Sequence, residues 1–281
     1  MVDAGATTTS SGVTTEELMR IAMDMAQQTR WPADSKIYVP GKGIKRILFG
    51  IDMGVAELLV GKQLGFDCVL AHHPDAAVLT FPDVLDLHVD LAVRNGVPEG
   101  AAKEAVARWK ESVAATRHSA NYDHAPSFAR LLGMPFLNIH NPLDEIGRRR
   151  LQEAVDAHAG PEATVAQVIE ALYKVPEIAE APTRVELRLG DLGNRAGKTV
   201  VVHGAGTNGG ATLARLYYLH GTDTVVYIHC SPAEVAKLRQ EFPSGKNLIV
   251  SGHIASDLAG INPFIEKLES MGLEVTRVSG L

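Results

Sequence analysis

Cysteine is scarce in this chain: 281 residues hold only Cys68 and Cys230, far apart in sequence. A disulfide framework is thereby excluded, and two reduced, buried thiols in expected strands fit a cytoplasmic protein better. Long apolar runs are missing as well. No window reaches the roughly 18 apolar residues that span a bilayer, so no membrane helix is expected. Positive charge is not in excess, since the net charge is -6. With it goes the electrostatic footprint for nucleic acid or an anionic membrane surface. The one local basic run, Arg148-Arg149-Arg150, reads as a solvated helix face. Residues 1–12, rich in Ala, Thr, Ser and Gly, lack both a basic segment and an apolar segment of a secretion signal, and are expected to form a disordered tail. No short-period repeat is present. What remains, 46% hydrophobic and 21% charged residues, is the composition of a globular protein of one large domain or two ordinary ones.

The most informative stretch is Asp67-Cys68-Val69-Leu70-Ala71-His72-His73-Pro74-Asp75. A short apolar run closed by a proline reads as a buried parallel strand, because proline cannot donate to the ladder. Two adjacent histidines thus arrive at a strand's C-terminal edge, where open α/β sheets place their ligand crevice. One histidine would be an ordinary satisfied residue; two in tandem point to metal ligation. Both rings can serve one site if the chain leaves the pleat at His73, as Pro74 suggests. Upstream, Thr14 to Glu17 reads as a helix start and Trp31-Pro32 as its end. A strand over residues 44–52 and a helix from Val55 to Leu64 complete a βαβ unit. Asp52, at the end of that strand, is read as a helix N-cap or a partner for the histidines.

The same order of apolar strand, histidine and proline recurs at Phe136-Leu137-Asn138-Ile139-His140-Asn141-Pro142-Leu143-Asp144, now with a carboxylate four positions on. Between the two lie helical patterns from Phe81 to Lys110. His88 sits there on an apolar face and reads as structural. The polar segment from Arg117 to Pro126 carries His118 and His124, and reads either as a loop reaching the site or as an ordinary exposed one. From about Arg184 strands and helices alternate again. The division expected is a first α/β domain over 13–180 and a second over 181–281, whose last helix and strand can pack back on the first. Gly204, Gly206 and Gly209 form G-x-G-x-x-G between strand and helix. The next strand, however, ends in His229-Cys230 and not in the acidic residue that a dinucleotide site needs. An anion cradle at the helix N-terminus is the reading that survives. Last comes Gly252-His253-Ile254-Ala255-Ser256-Asp257, where a spacing of four lets imidazole and carboxylate meet on one helix face.

Together and in this order, Ala71-His72-His73-Pro74, His140-Asn141-Pro142-Leu143-Asp144 and Gly252-His253-Ile254-Ala255-Ser256-Asp257 resemble the signature motifs of the NIF-three-like family, over the chain from about Ile44 onward. The resemblance implies an α/β fold of two portions, with mostly parallel sheets flanked by helices and a metal site in the cleft between them. It implies two divalent transition-metal ions (Zn, Fe, Mn or Ni) held by His72, His73, Asp144, His253 and Asp257. Asp144 would be the bridge, with His140 in or beside the ligand set. It further implies a homo-oligomer, often a hexamer. The function expected is that of a metal-dependent hydrolase of a small molecule or nucleotide, in line with the GTP cyclohydrolase-type reaction linked to some members. The alternative is a metal-handling or regulatory protein without turnover. The chain departs from the family in having Asp257 where Glu is usual, in a longer stretch between His73 and His140, and in a segment after His229 that barely matches the family's polar motif.

Overall fold

The computed structural model describes residues 12–204 and 209–281. Of the expected tail only Gly12 is among them, and it packs against Gly43. Chain order begins with α1 (Thr15–Met25), β1 (Lys36–Val39), β2 (Arg46–Gly50), α2 (Val55–Gln63) and β3 (Cys68–Ala71). A 3-10 helix (Phe81–Asp86), α3 (Leu87–Arg94), α4 (Glu99–His118), α5 (His124–Leu132) and β4 (Phe136–Asn138) follow. After α6 (Asn141–His158), α7 (Val165–Leu172) and α8 (Pro176–Ala179) come β5 (Glu186–Leu189), β6 (Thr199–Val202), α9 (Gly210–Leu219), β7 (Thr224–Tyr227), α10 (Pro232–Glu241) and β8 (Asn247–Val250). The chain ends with α11 (His253–Ser270) and β9 (Glu274–Val278).

Two sheets result, ordered β1-β4-β3-β2-β9 and β5-β8-β7-β6. All neighbours are parallel except the edge strands β1 and β5, which run antiparallel. These edge strands are short and half-exposed, and their sequences carry no strong apolar run. Local pattern alone therefore gave no strand there. Elsewhere the period-two alternation of a strand buried on both faces is visible in the packing. Ile47, Phe49, Cys68, Leu70, Leu137 and Ile139 face α1, α6 and α11, whereas Leu48, Val69, Ala71 and Phe136 face α2 and α5. In the second sheet Val201, Val226 and Ile249 meet α6, α7 and α11. Val200, Val202, Val225, Tyr227 and Leu248 meet α3, α4, α9 and α10.

Two consequences position the site. Of the long stretch between β3 and β4 only α5 stays on its own sheet, whereas α3 and α4 pack on the second one. And α6 and α11 serve both sheets, because Leu143, Ile146, Ile261 and Phe264 belong to the first core while Leu151, Val155, Ala255 and Ala259 belong to the second. The two helices cross at Gly147 and Gly260, where a Cβ on Gly260 would stand 1.9 Å from the Leu143 carbonyl oxygen. The basic run on α6 is not a solvated face. Arg148 pairs with Glu145, Arg149 donates to the Met25 carbonyl, and Arg150 reaches Glu177 and the Ala259 carbonyl. It ties α6 to α1, α8 and α11. Helix α1 starts as expected, with Thr14 and Glu17 in a reciprocal capping box, but ends at Met25, before Gln27 takes a positive φ.

Candidate metal centre

Five parallel strands are each followed closely by histidine: β3 by His72 and His73, β4 by His140, β6 by His203, β7 by His229, and β8 by His253, the first residue of α11. Backbone pairing keeps the first pair in place, the His72 and His73 amides donating to Gly50 and Ile51 carbonyls. The carboxylates come from the helices that begin where β4 and β8 stop. Asp144 lies in the first turn of α6 and Asp257 one turn inside α11, each four residues after a histidine. Both carboxylates are buried, Asp257 to 1% exposure.

Around them the ring nitrogens converge. His72 Nε2 is 3.2 Å from Asp144 Oδ1 and 3.7 Å from Asp257 Oδ2. His73 Nε2 and His253 Nε2 approach Asp257 Oδ2 at 3.6 and 3.3 Å, and His140 Nε2 approaches Asp144 Oδ2 at 3.6 Å. His203 Nε2 lies 3.2 Å from Asp257 Oδ1 and 3.6 Å from Asp144 Oδ1. The far nitrogen of three rings is fixed from behind. His72 Nδ1 donates to the Ile139 carbonyl at 3.1 Å, His140 Nδ1 to Asp34 at 2.9 Å and His73 Nδ1 to Asp52 at 2.8 Å. Such a partner sets the tautomer and leaves Nε2 as a lone pair aimed inward.

That arrangement leaves a conflict. His72 Nε2, Asp144 Oδ1 and Asp257 Oδ2 are buried acceptors facing one another, and among the described residues none has a hydrogen-bond partner. Buried polar atoms in native structures are satisfied, and a cation is what satisfies converging imidazole and carboxylate lone pairs. Three overlapping donor groups meet the requirement: His72, His73 and His140; His73, His253 and Asp257; His72, Asp144 and Asp257. The donor set therefore fits a metal. Without one, the charges lean on each other. Burial pushes His140 and His203 down, but Asp144 with Asp34, and Asp144 with Asp257, outweigh it and raise both to about 9. Burial pushes Asp144 up, yet His140 and His203 hold it well below the carboxylate range. Asp257 is depressed in the same way, chiefly by His203 and His73.

Most residues singled out from sequence thus meet in one place, with revisions. Asp52 does not cap α2, whose N-cap is Gly54; it is the exposed partner of His73. His118 and His124 are exposed outside the cleft, His124 against Phe128. At the N-terminus of α9 the Ala211 amide donates to Glu234 at 2.8 Å, so the chain's own carboxylate stands where an anion was expected. Gly204 lines the cleft, Gly209 caps α9, and Gly206 lies outside the described residues. Sequence reading missed Asp34, His203 and His229. His203 ends Val200-Val201-Val202 just as His72 ends its strand, so its signal was present but was absorbed into the glycine turn. Asp34 precedes an edge strand that no pattern announced.

The site opens into a cleft of about 360 Å³ lined by His73, Phe81, Arg117, His140, His229 and His253 among others. No protein-family model and no curated protein matches the chain. Among solved structures, a NIF3 superfamily protein from Sphaerobacter thermophilus is 51% identical, with a TM-score of 0.91, covering 97% of this chain and 100% of that one. A protein from Thermus thermophilus (16% identity, TM-score 0.53, 94% and 97% coverage) shares the fold. So does a Bacillus cereus protein related to NIF3 (12%, 0.52, 96% and 97%).

Proposed function

We propose a metal-dependent hydrolytic function for this chain, which belongs to the NIF3 superfamily: two divalent transition-metal ions held in the cleft, acting on a small molecule. The observation that carries the reading is the set of buried acceptors on His72, Asp144 and Asp257 that have no partner among the described residues. A single tetrahedral ion needs four ligands, and His72, His73, His140, Asp144, His253 and Asp257 exceed that number. When bound, a pair of such ions supplies Lewis acidity and a water of lowered pKa. The chain supplies the rest. The Ile139 carbonyl, Asp34 and Asp52 hold the rings of His72, His140 and His73 in the ligating tautomer. His203 donates to Asp257 Oδ1 and so orients that carboxylate. His229, kept below its ordinary pKa by burial and by His253, lines the cleft beside them.

The test is elemental analysis of reconstituted protein, followed by turnover of a panel of nucleotides, phosphoesters and small amides. Close to two metals per chain with turnover supports the proposal. Two metals without turnover leaves a metal-handling or regulatory role, and no transition metal at all removes the site assignment. Self-association belongs to the same proposal and is read by light scattering of the loaded protein.

A further inference from the structure

Arg117 occupies the last turn of α4, which is anchored to the second sheet through Ala102, Val106 and Trp109. From there its guanidinium enters the cleft that the histidines line. It is held at two points. The group lies 4.2 Å above the Phe81 ring, and Nη1 donates to the Asp75 carbonyl at 3.3 Å, just beyond His72-His73-Pro74. Stacking and one long hydrogen bond use little of a fork with five donors. Burial works against its charge and outweighs the more distant Asp75 and Asp34 carboxylates that favour it, and among the described residues Arg117 forms no direct ion pair. A half-buried cation whose fork touches no carboxylate keeps charge and donors to offer, and at the edge of a candidate metal site it has one evident use.

We propose that Arg117 is an oxyanion-binding residue of the cleft, so that the molecule acted on carries a phosphate or carboxylate group gripped by the guanidinium. A planar fork already immobilised on an aromatic ring matches such a group bidentately, and little rotamer freedom is lost on binding. Phe81 and Arg117 both come from the stretch between β3 and β4, so that stretch contributes specificity to the site as well as covering the second sheet. The inference rests on the metal-dependent reading for what happens at the reacting end of the molecule.

The test is calorimetric titration of inorganic phosphate, and separately of acetate, into wild type, R117K and R117Q. Each is measured metal-loaded and metal-free, with metal content and melting temperature recorded. At equal metal content R117Q is expected to bind the better of the two anions about tenfold or more weakly, the worth of one charged hydrogen-bonded contact. R117K, which keeps charge but not the fork, is expected to fall between. Bound metal stays unchanged in both, since Arg117 is not a ligand. Equal anion affinity of wild type and R117Q, or no anion binding by wild type, overturns the inference whatever the metal content. Should the protein hold no metal, the metal-free ratio decides: a tenfold loss sustains the anion site while the metal reading fails. If R117Q does not fold, unchanged affinity in R117K overturns the inference and weakened affinity sustains it. A purely structural Arg117 would lower the melting temperature and leave anion affinity where it was.

Discussion

Asp34 places no ligand atom in the cleft, yet its buried carboxylate holds His140 at Nδ1 and accepts weakly from the Asn141 amide. Removing its charge in Asp34→Asn is expected to weaken metal binding about 10–100-fold, the usual cost of losing a carboxylate behind a ligating imidazole. Competition titration against a chelator reads this, and unchanged affinity would detach Asp34 from the site. Asp257→Asn is expected to lose at least one metal, because the same carboxylate meets His73, His203 and His253. His72 is not the removable strand-edge residue that its sequence position suggests. Its ring is fully buried, and His72→Ala would orphan the Ile139 carbonyl as well as the metal. That variant is expected to lose metal and about 2 kcal/mol of stability or more, measured by denaturant unfolding.

Helices α6 and α11 set the distance between Asp144 and Asp257, and glycine sets how closely the helices approach. Gly260→Ala puts a methyl 1.9 Å from the Leu143 carbonyl oxygen and 3.0 Å from the Gly147 amide nitrogen, all backbone that cannot swing away. Overpacking of this kind is expected to cost about 3 kcal/mol. Because α6 carries Asp144 and α11 carries Asp257, metal content should fall with stability. Urea unfolding with elemental analysis checks both, and a variant that is destabilised but fully loaded would show that the crossing does not govern the site. Neither glycine was legible as a contact. Each sits inside a helix, where glycine costs about 1 kcal/mol against alanine, and the compensation lies in the other helix.

For the whole molecule, pH couples folding to the site. His140 and His203 are raised to about 9 in the metal-free chain, against about 6.5 unfolded. A raised folded pKa stabilises fully below the unfolded value and is lost as pH climbs through the folded one. The metal-free protein is therefore expected to melt progressively lower between about pH 6.5 and 9. The loaded protein, whose His140 is deprotonated as a ligand, should show a flatter profile, and metal affinity should rise over the same range as protons leave. Melting curves at fixed ionic strength, with and without metal, check the difference; parallel profiles would mean that these rings do not titrate on loading.

The sequence by itself determined the parallel strands, since short apolar runs ending in His, Pro or Gly follow from local sterics and hydrogen bonding. It also brought His72, His73, His140, Asp144, His253 and Asp257 forward as one candidate set, because the pattern of strand, histidine and carboxylate repeats. The basic run on α6 went astray because its face is filled by elements distant in sequence. Only the tertiary structure decided that α3 and α4 cover the sheet they are not inserted in. It alone placed Asp34, His203 and Arg117 beside the site. Those placements depend on which apolar faces bury each other across the chain. Local spacing cannot encode that, because burial is non-directional and is settled only when the whole core packs.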